Sequence, residues 1–317
     1  MDIPQELKEQ IEKIITGLKH KNIIEESQSI SKKYRQNDGK GKKLVTKQIE
    51  AIAYAISRMP ATYCAVYSVF SKVLKNCNNE IKTVLDIGAG TGAATWAIKE
   101  FVNPQKIICL EREQAMREIG KQLMYNNLEN VEWKEFDLIS DNINEKADLV
   151  VTSYVINELS EENRRKAIEK MWEATNQLLV IIEPGTPEGF KHINEARELL
   201  LAKNGNIVAP CSHNGKCPIN TNEDWCGFYT RVTRSGIQRQ AKKGELGYED
   251  EKFSYIAFSK EPVVGEQARI LRHPQINSGY VKVKLCTTNG IEEKTFSKKD
   301  GEVYKKIKKL DAGDTIK

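Results

Sequence analysis

The first residues that could do chemistry form a glycine-rich loop. The run VLDIGAGTG places one acid ahead of three glycines at alternate positions: Asp86, Gly88, Gly90 and Gly92. Glycines spaced in this way let the backbone turn sharply and approach a ligand where a Cβ atom would collide. Glu111 lies 19 residues beyond Gly92, where a carboxylate can accept hydrogen bonds from both hydroxyls of a ribose. The pattern therefore predicts a nucleoside-binding site.

Two classes of protein use such a loop. Dinucleotide-binding domains expect G-x-G-x-x-G, whereas this chain has D-x-G-x-G-x-G. The latter resembles motif I of the class I S-adenosylmethionine-dependent methyltransferases. That resemblance implies that Asp86 and the glycines hold the methionine end of the cofactor, Glu111 the ribose and Asp137 the adenine edge. A sulfonium cofactor is cationic at its reactive centre and gains from nearby carboxylates.

The sequence names no catalytic residue. Methyltransferases of this class that modify exocyclic base nitrogens usually carry an Asn/Asp-Pro-Pro-aromatic tetrad after the fourth strand, but residues 152–159 read TSYVINEL. Methylation at cytosine C5 needs a thiolate nucleophile, and the pair Pro210-Cys211 belongs to a cysteine cluster. Catalysis by alignment of the acceptor alone is a further possibility.

Four of the seven cysteines could share an inorganic site. Cys211, Cys217 and Cys226 lie in a loop rich in Gly, Pro and Asn, with Cys286 as a possible fourth ligand. Four thiolates suit zinc or an iron-sulfur cluster. The spacing does not match the C-x2-C pairs of most structural zinc sites, and Cys217-Pro218 resembles iron-sulfur loops. His213 in place of one thiolate would favour zinc, and an absence of metal is the third alternative.

The elements that must position these residues fall into three predicted regions. Residues 1–77 form a helical N-terminal region, in which a helix over 4–19 precedes a polar, basic link at 31–43 and two further helices up to about residue 73. Residues 78–263 alternate short apolar runs with helix-length stretches, as in a doubly wound parallel sheet. We predict strands at 82–87, 106–111, 131–135, 147–153, 178–183 and 252–260.

Two further segments accompany this core. Residues 204–247 differ in composition and predict a cysteine-rich inserted loop. Residues 264–317 predict a tail with a β-hairpin, because Asn289-Gly290 separates two alternating runs, and this tail would supply Cys286. The fold class is therefore α/β, with a helical N-terminal region, a cysteine-rich insertion and a hairpin tail.

Charge is segregated along the chain. The net charge of +5 comes from 49 basic and 44 acidic residues, yet the stretches 31–50, 228–244 and 294–309 each carry an excess of five positive charges. Such segregation suits a polyanion-binding face, although each stretch alone could be a solvated surface. The RNA-binding candidates adjoin the cysteine cluster: Arg231, Arg234, Arg239, Lys242 and Lys243.

Composition and the first residues bear on location. Hydrophobic residues make up 39% and charged residues 29% of the chain, which predicts a globular protein. The longest aliphatic run, 178–182, is far too short to span a membrane. The start MDIPQELKEQ has acids where a signal peptide would have a basic patch. We expect a cytoplasmic protein with no membrane and no DNA partner.

Three stretches together resemble one family. They are AYAISRMPATYCAV near residue 55, VLDIGAGTGAATWA with VINEL and VIIEPGTPEGF in the core, and the cysteine pattern that continues through QRQAKKGELGYEDEKFSYIAFSK to VKLCTTNG. Over roughly residues 50–310 the chain resembles the ribosomal small-subunit methyltransferase-like family, whose mitochondrial members assist assembly of the small subunit. The resemblance implies S-adenosylmethionine binding, a 4Fe-4S cluster on Cys211, Cys217, Cys226 and Cys286, and binding to small-subunit ribosomal RNA.

Three functional hypotheses follow. The first is a protein that uses S-adenosylmethionine to methylate small-subunit rRNA, or keeps it as a stabilising ligand, in ribosome assembly or translation. The second is a non-catalytic assembly factor of the same fold. The third is a small-molecule methyltransferase with a structural zinc.

Overall fold

The protein is described by a computed structural model that covers residues 1–35, 44–76, 80–242, 244–263 and 268–316. The chain divides into two compact units, each built from separate segments. Unit 1 comprises Met1–Ser71, Asn79–Asn176 and Thr230–Glu251. Unit 2 comprises Lys72–Asn78, Gln177–Tyr229 and Lys252–Lys317. The helical region, core and tail predicted from sequence are consecutive stretches of the chain. They do not coincide with the compact units, because each unit contains segments from more than one of these stretches.

Unit 1 begins with helices. They are α1 (Gln5–Ile15), α2 (His20–Arg35), α3 (Gln48–Ser57) and α4 (Met59–Val73). The link predicted at 31–43 is wrong for residues 31–35, where α2 continues, and 36–43 lie outside the described residues. Ile23, Ser27 and Ile30 of α2 are buried at spacings of four and three, which is one helical stripe. The polar Ser27 interrupts the apolar pattern, and its hydroxyl donates to the Ile23 carbonyl oxygen at 2.8 Å.

Unit 1 also contains a parallel sheet. Its strands are β1 (Thr83–Ile87), β2 (Lys106–Glu111), β3 (Val131–Glu135) and β4 (Ala147–Ser153), in the order β3-β2-β1-β4. The connecting helices include α5 (Ala93–Lys99) and α6 (Gln114–Met124), and α7 (Glu161–Ala174) follows β4. All three pairings are parallel. This order confirms the predicted doubly wound sheet and brings the carboxyl ends of β1, β2 and β4 to one edge, where ligands bind in such folds.

Unit 2 receives most of β5 (Thr175–Pro184) and β8 (Tyr248–Ser259), which pair antiparallel with each other. Helix α8 (Pro187–Ala202) follows β5, and β6 (Asn206–Ala209) pairs antiparallel with β8. The segment 204–247, which was predicted as an inserted loop, thus contains regular structure. Strands β6 and β7 (Phe228–Thr233) border the irregular residues 210–227, and α9 (Gly236–Lys242) follows β7.

The tail of unit 2 is a second sheet with a helix. Its elements are β9 (Ala268–Ile270), β10 (Gln275–Asn277), β11 (Tyr280–Thr287), β12 (Gly290–Ser297), α10 (Gly301–Ile307) and β13 (Thr315–Ile316). Strands β11 and β12 form the predicted hairpin, but Thr287 faces Gly290, so the turn residues are 288 and 289. Val281, Val283 and Leu285 pack with Tyr304 and Ile307 of α10. Alternate residues of β11 therefore face away from this core.

The helices are too short or too polar to cross a bilayer, as far as the chain is described.

Candidate cofactor site and cysteine cavity

The glycine loop of unit 1 adopts the backbone conformation that its sequence requires. Gly88, Gly90 and Gly92 have φ values of +68°, +57° and +89°, in the left-handed region that side chains disfavour. A Cβ atom at Gly88 would lie 2.3 Å from Val155 Cγ2, and one at Gly92 would lie 2.1 Å from Met124 Cε. Gly88 is therefore needed for packing as well as for backbone geometry, whereas at Gly92 the end of the Met124 side chain would have to move.

Gly90 has a different role from the other two glycines. The nearest atom to a Cβ built there is Tyr54 Cε1 at 3.9 Å, so the space before it is open. Gly90 lines a cavity of about 120 Å³ at the carboxyl edge of the sheet, together with Gly88, Glu111 and Asp137. A side chain at this position would project into the cavity, which is the kind of cradle that a ligand fills.

Glu111 fixes the loop through both of its carboxylate oxygens. The Gly90 N–H donates to Oε2 and the Glu113 N–H donates to Oε1, each at 2.8 Å. Burial raises the pKa of Glu111, and these backbone hydrogen bonds oppose that increase. Each carboxylate oxygen has a second lone pair, so the group predicted to bind ribose retains the capacity to accept from a ligand.

Asp86 lies behind the loop and is not among the residues that line the cavity. It is fully buried, and its Oδ2 accepts from the Thr95 N–H at 3.2 Å and the Thr95 hydroxyl at 2.8 Å. Its Oδ1 has no hydrogen-bond partner among the described residues. Burial raises the pKa of Asp86 to about 7, against the two Thr95 hydrogen bonds, and the nearby Glu111 carboxylate adds to the increase. Asp86 thus supports the start of α5.

Asp137, which the resemblance assigned to the adenine edge of the cofactor, lines the cavity wall. Its Oδ1 accepts from the Ile139 N–H at 2.9 Å, and Arg112 Nη1 lies 3.7 Å from its Oδ2. Phe136, Leu138 and Ile139 also line the cavity, so a carboxylate edge stands beside apolar surface. This combination suits a flat heterocycle with amino groups.

Three lining residues had no assigned role in the sequence analysis. Tyr54 comes from α3, and burial raises its pKa to about 12. Tyr154 has φ of +61°, and its hydroxyl donates to Glu251 Oε1 at 2.9 Å. Glu158 has its pKa raised to about 7, mainly by burial. Tyr154 and Glu158 belong to the run TSYVINEL at 152–159, which could have indicated them because it follows β4 directly.

The cavity wall is acidic. Glu111, Glu113, Asp137 and Glu158 line it, while Arg112 is the one basic residue in its described lining. A ligand with net positive charge relieves the repulsion among these carboxylates. These carboxylates therefore suit a nucleoside with a sulfonium group better than a nucleotide with a phosphate. A phosphate site would instead present a helix N-terminus and basic side chains.

The four predicted metal ligands come together in unit 2. Cys211, Cys217, Cys226 and Cys286 all line one cavity of about 30 Å³. Cys211 follows β6, Cys226 precedes β7 and Cys286 lies on β11. The Ser212 hydroxyl donates to the Cys286 carbonyl oxygen at 3.1 Å, and the Ser254 hydroxyl donates to the Cys226 carbonyl oxygen at 2.7 Å. Hydrogen bonds thus hold two of the four cysteines at the backbone.

Two buried arginines border this cavity. Arg197 and Arg269 are each 2% exposed and line it together with the cysteines. Cys286 faces Arg269 across the β9–β11 ladder, so both side chains lie on one face of the sheet. Arg269 donates to the carbonyl oxygens of Pro210 and Gly313 at 2.8 Å, and its Nη2 has no partner among the described residues. Cationic groups in this position favour an anionic occupant.

The cysteines do not converge as the ligands of a single ion would. Within the described ranges, no three His, Cys, Asp or Glu side chains are grouped to hold one metal ion. A cluster differs in this respect, because each thiolate binds a separate iron atom. His213 is nearby, with Nε2 at 3.8 Å from Cys286 Sγ. Burial raises the pKa of the Cys211, Cys226 and Cys286 thiols, and neighbouring cysteines contribute.

Cys64 and Cys109 do not line this cavity, and both are fully buried and form no disulfide. Their surroundings agree with plain packing. Cys77 lies outside the described residues.

The RNA-binding candidates are largely paired with acids. Arg234 and Lys242 both bind Glu249, the former at 2.9 Å. Arg231 binds Asp250 at 2.9 Å and lies over the Tyr248 ring. Arg239 is exposed, and Lys243 lies outside the described residues. The positive excess predicted from 228–244 is thus offset by acids on the adjoining strand, and RNA binding by these residues stays a prediction.

Comparison with known proteins identifies relatives. The profile of a family described as mitochondrial small ribosomal subunit Rsm22 matches residues 48–317. The human ribosome assembly protein METTL17, mitochondrial, is 27% identical over 266 residues, which are 76% of this chain and 56% of that protein. Rsm22-cox11 tandem protein 2, mitochondrial, of Schizosaccharomyces pombe is 24% identical and covers 97% of this chain and 48% of its own length. The chain spans about half the length of these relatives.

Solved structures show weaker likeness. Magnesium protoporphyrin IX methyltransferase from Synechocystis, with bound S-adenosylmethionine, has a TM-score of 0.43 and 13% identity over 74% of this chain and 97% of its own. A putative RNA methyltransferase from Pyrococcus horikoshii has a TM-score of 0.40 and 14% identity over 63% of this chain and 79% of its own.

The buried Asp86 carboxyl predicts a pH dependence of stability. Because burial raises its pKa to about 7 from an ordinary value of 3.8, the folded protein binds more protons than the unfolded chain between these values. Its contribution to stability is complete below pH 3.8 and is lost as pH rises through 7. In the cofactor-free protein, Asp86→Asn should reduce the fall in unfolding free energy between pH 5 and 7 by roughly 2–3 kcal/mol.

Urea unfolding at several pH values measures this effect. Glu129→Gln, which changes an exposed carboxylate, is the matched control and should follow the wild type. Parallel pH curves for Asp86→Asn and the wild type would contradict the assignment.

Proposed function

The chain belongs to the family described as mitochondrial small ribosomal subunit Rsm22, and we propose that it binds S-adenosylmethionine and acts on a small ribosomal subunit during assembly or translation. The observation that carries the cofactor proposal is the acidic cavity at the carboxyl edge of the parallel sheet. Ribosome assembly is what the name of the human relative states of that protein. For this chain it is part of the proposal.

The proposed cofactor contacts follow the wall of the cavity. Gly88 and Gly90 give the close backbone approach, Glu111 accepts from the ribose hydroxyls and Asp137 accepts from the adenine amino group. Glu158, which follows β4 at the same edge of the sheet, would add a further carboxylate for the cationic cofactor. When bound, the cofactor would supply a methyl group activated by its sulfonium charge. Asp86 and Gly92 contribute by holding the loop, since neither lines the cavity.

Cofactor binding can be tested with a glycine pair matched in backbone conformation. Gly90 and Gly17 both have positive φ, and neither has an atom close to a built Cβ atom, but only Gly90 lines the cavity. Gly90→Ala should weaken binding of S-adenosylmethionine, measured by calorimetry, at least tenfold, because the methyl group enters the cradle. Gly17→Ala carries the same backbone cost and should bind as the wild type does. Equal affinities for all three proteins would exclude this cavity as the site.

Whether the cofactor donates its methyl group separates two candidate functions. A non-catalytic assembly factor is favoured by one observation, namely that TSYVINEL at 152–159 lacks the proline tetrad. A transferase would instead use alignment of its acceptor.

Transfer of labelled methyl groups from the cofactor to immature small subunits tests this distinction. We expect label in the rRNA with the wild type and a background level with Asp86→Ala, since this change removes the support of the loop. Gly17→Ala is the control that should retain transfer. Binding of subunits without any label would favour the non-catalytic factor, and label in a small molecule alone would favour the third hypothesis.

We further propose that Cys211, Cys217, Cys226 and Cys286 hold a 4Fe-4S cluster, with zinc as the alternative. Two observations support an inorganic occupant: the four cysteines line one cavity, and two buried arginines border it. Four thiolates around either centre give a net negative charge, which Arg197 and Arg269 would stabilise. When bound, the group would connect the irregular segment 210–227 to β11 through metal–thiolate bonds.

Metal and sulfide analysis of anaerobically purified protein tests this proposal. The wild type should contain iron and acid-labile sulfide in equal amounts, and Cys217→Ser should lose most of both. Cys64→Ser, which changes a buried cysteine outside the cavity, should retain them. Zinc without sulfide would replace the cluster by the alternative, and a metal-free wild type would refute both.

The location of the protein is a separate matter. The relatives carry the word mitochondrial in their names, and the cytoplasmic location expected from the sequence stays a prediction.

A further inference from the structure

The tail sheet has one face that its own helix does not cover. Along β11, Val281, Val283 and Leu285 point to the core with α10, so Tyr280 and Lys282 point to the opposite face. Register places three polar residues beside them on that face: Gln275, Asn277 and Thr295. All three are exposed. These five residues are called the tail-sheet face below.

Two lysines extend this face at its edge. Lys298 and Lys299 follow β12 directly and are exposed. The Lys298 N–H donates to the Gly279 carbonyl oxygen at 3.0 Å, which fixes the pair next to the turn that precedes Tyr280. The carboxylate of Asp300 keeps its negative charge but is directed at Ser297, because its Oδ2 accepts from the Ser297 N–H at 2.6 Å and the Ser297 hydroxyl at 3.1 Å.

Three lysines of this surface have no described acid in an ion pair, whereas Lys284 binds Asp224 and Lys294 binds Glu292. In the described parts of the chain, no carboxylate lies within 4.0 Å of the ammonium groups of Lys282, Lys298 or Lys299. The 228–244 segment differs, since Glu249 binds both Arg234 and Lys242. Uncompensated lysines keep their full attraction for phosphates. Lys282, Lys298 and Lys299 are therefore available to phosphates, whereas Arg234 and Lys242 are held by an acid.

The aromatic ring and the polar groups indicate which polyanion fits. Lys282 Nζ lies 6.0 Å from the centroid of the Tyr280 ring, so a stacking surface and a phosphate contact are adjacent. A sheet face with an aromatic ring, amides and lysines recognises unpaired bases by stacking and hydrogen bonding. An anionic membrane would instead favour apolar side chains on the same face as the lysines, and the tail-sheet face has none.

We infer that the tail-sheet face, with Lys298 and Lys299, binds a single-stranded segment of RNA. This inference rests on the proposed function, because a small ribosomal subunit would supply the RNA. It assigns the contact to the tail of unit 2 and not to the arginines of 228–244.

Salt-dependent binding of the full chain tests the lysines. The probes are a labelled single-stranded oligouridylate, an RNA duplex of equal length and small ribosomal subunits. The combined variant Lys282→Gln, Lys298→Gln and Lys299→Gln should reduce the slope of log K against log salt by about 2 on the single strand, since each lost phosphate contact removes about 0.7. The control variant Lys13→Gln, Lys19→Gln and Lys121→Gln changes three exposed lysines of unit 1 and has the same net charge. It should retain the wild-type slope.

Stacking is tested by a second pair of variants. Tyr280→Ala should weaken oligouridylate binding about tenfold or more, and Tyr280→Phe should restore most of it because the ring remains. Circular dichroism confirms that each variant is folded.

The outcomes separate this inference from the proposed function. Equal salt slopes for the two triple variants would overturn the tail-sheet assignment, and so would duplex RNA that binds as well as the single strand. If the wild type still binds small subunits in that case, the proposed function remains intact. If the wild type binds phosphatidylserine vesicles through these lysines and no RNA, the inference is wrong. Failure of the wild type to bind small subunits would instead count against the proposed function itself.

Discussion

Unit 2 is constrained by two guanidinium groups that lie away from water beside four thiols. Arg269 is anchored by carbonyl oxygens, and the described residues offer it no carboxylate within 4.0 Å. Arg197 binds Glu198 at 2.8 Å and also lies against Cys211. A buried charge without a counter-charge costs several kcal/mol, so negative charge in the cavity would stabilise Arg269. An iron or zinc centre with four thiolates would provide it.

Unit 1 has the opposite arrangement of charge, with carboxylates instead of guanidinium groups around its cavity. The carboxyl ends of β2, β3 and β4 bring Glu111, Asp137 and Glu158 to one cavity, and burial raises the pKa of Glu111 and Glu158. Backbone N–H groups stabilise Glu111, and a cationic ligand would stabilise the rest. Each unit thus contains a cavity in which one sign of charge predominates, and the proposed occupant of each cavity carries the other sign.

The sequence predicted what depends on short-range pattern. The glycine loop and the parallel strands appear where they were expected. The family resemblance, and not a short-range pattern, grouped Cys286 with Cys211, which is 75 residues earlier, and both line one cavity. The sequence pattern missed what depends on pairing between distant residues. Glu249 neutralises Arg234 and Lys242 from outside the window in which charge was counted. Tyr54 lines the cavity from α3, a contact that neither spacing nor composition indicates. The buried stripe of α2 was not recognised because its middle residue, Ser27, is polar.

The most direct test of the central claim is anomalous diffraction from crystals of anaerobically purified protein, with data collected on both sides of the iron and zinc absorption edges. The account predicts a peak within bonding distance of the sulfurs of Cys211, Cys217, Cys226 and Cys286, with Arg197 and Arg269 beside it. A cavity without anomalous density at either edge, and with Arg269 still buried, would contradict it.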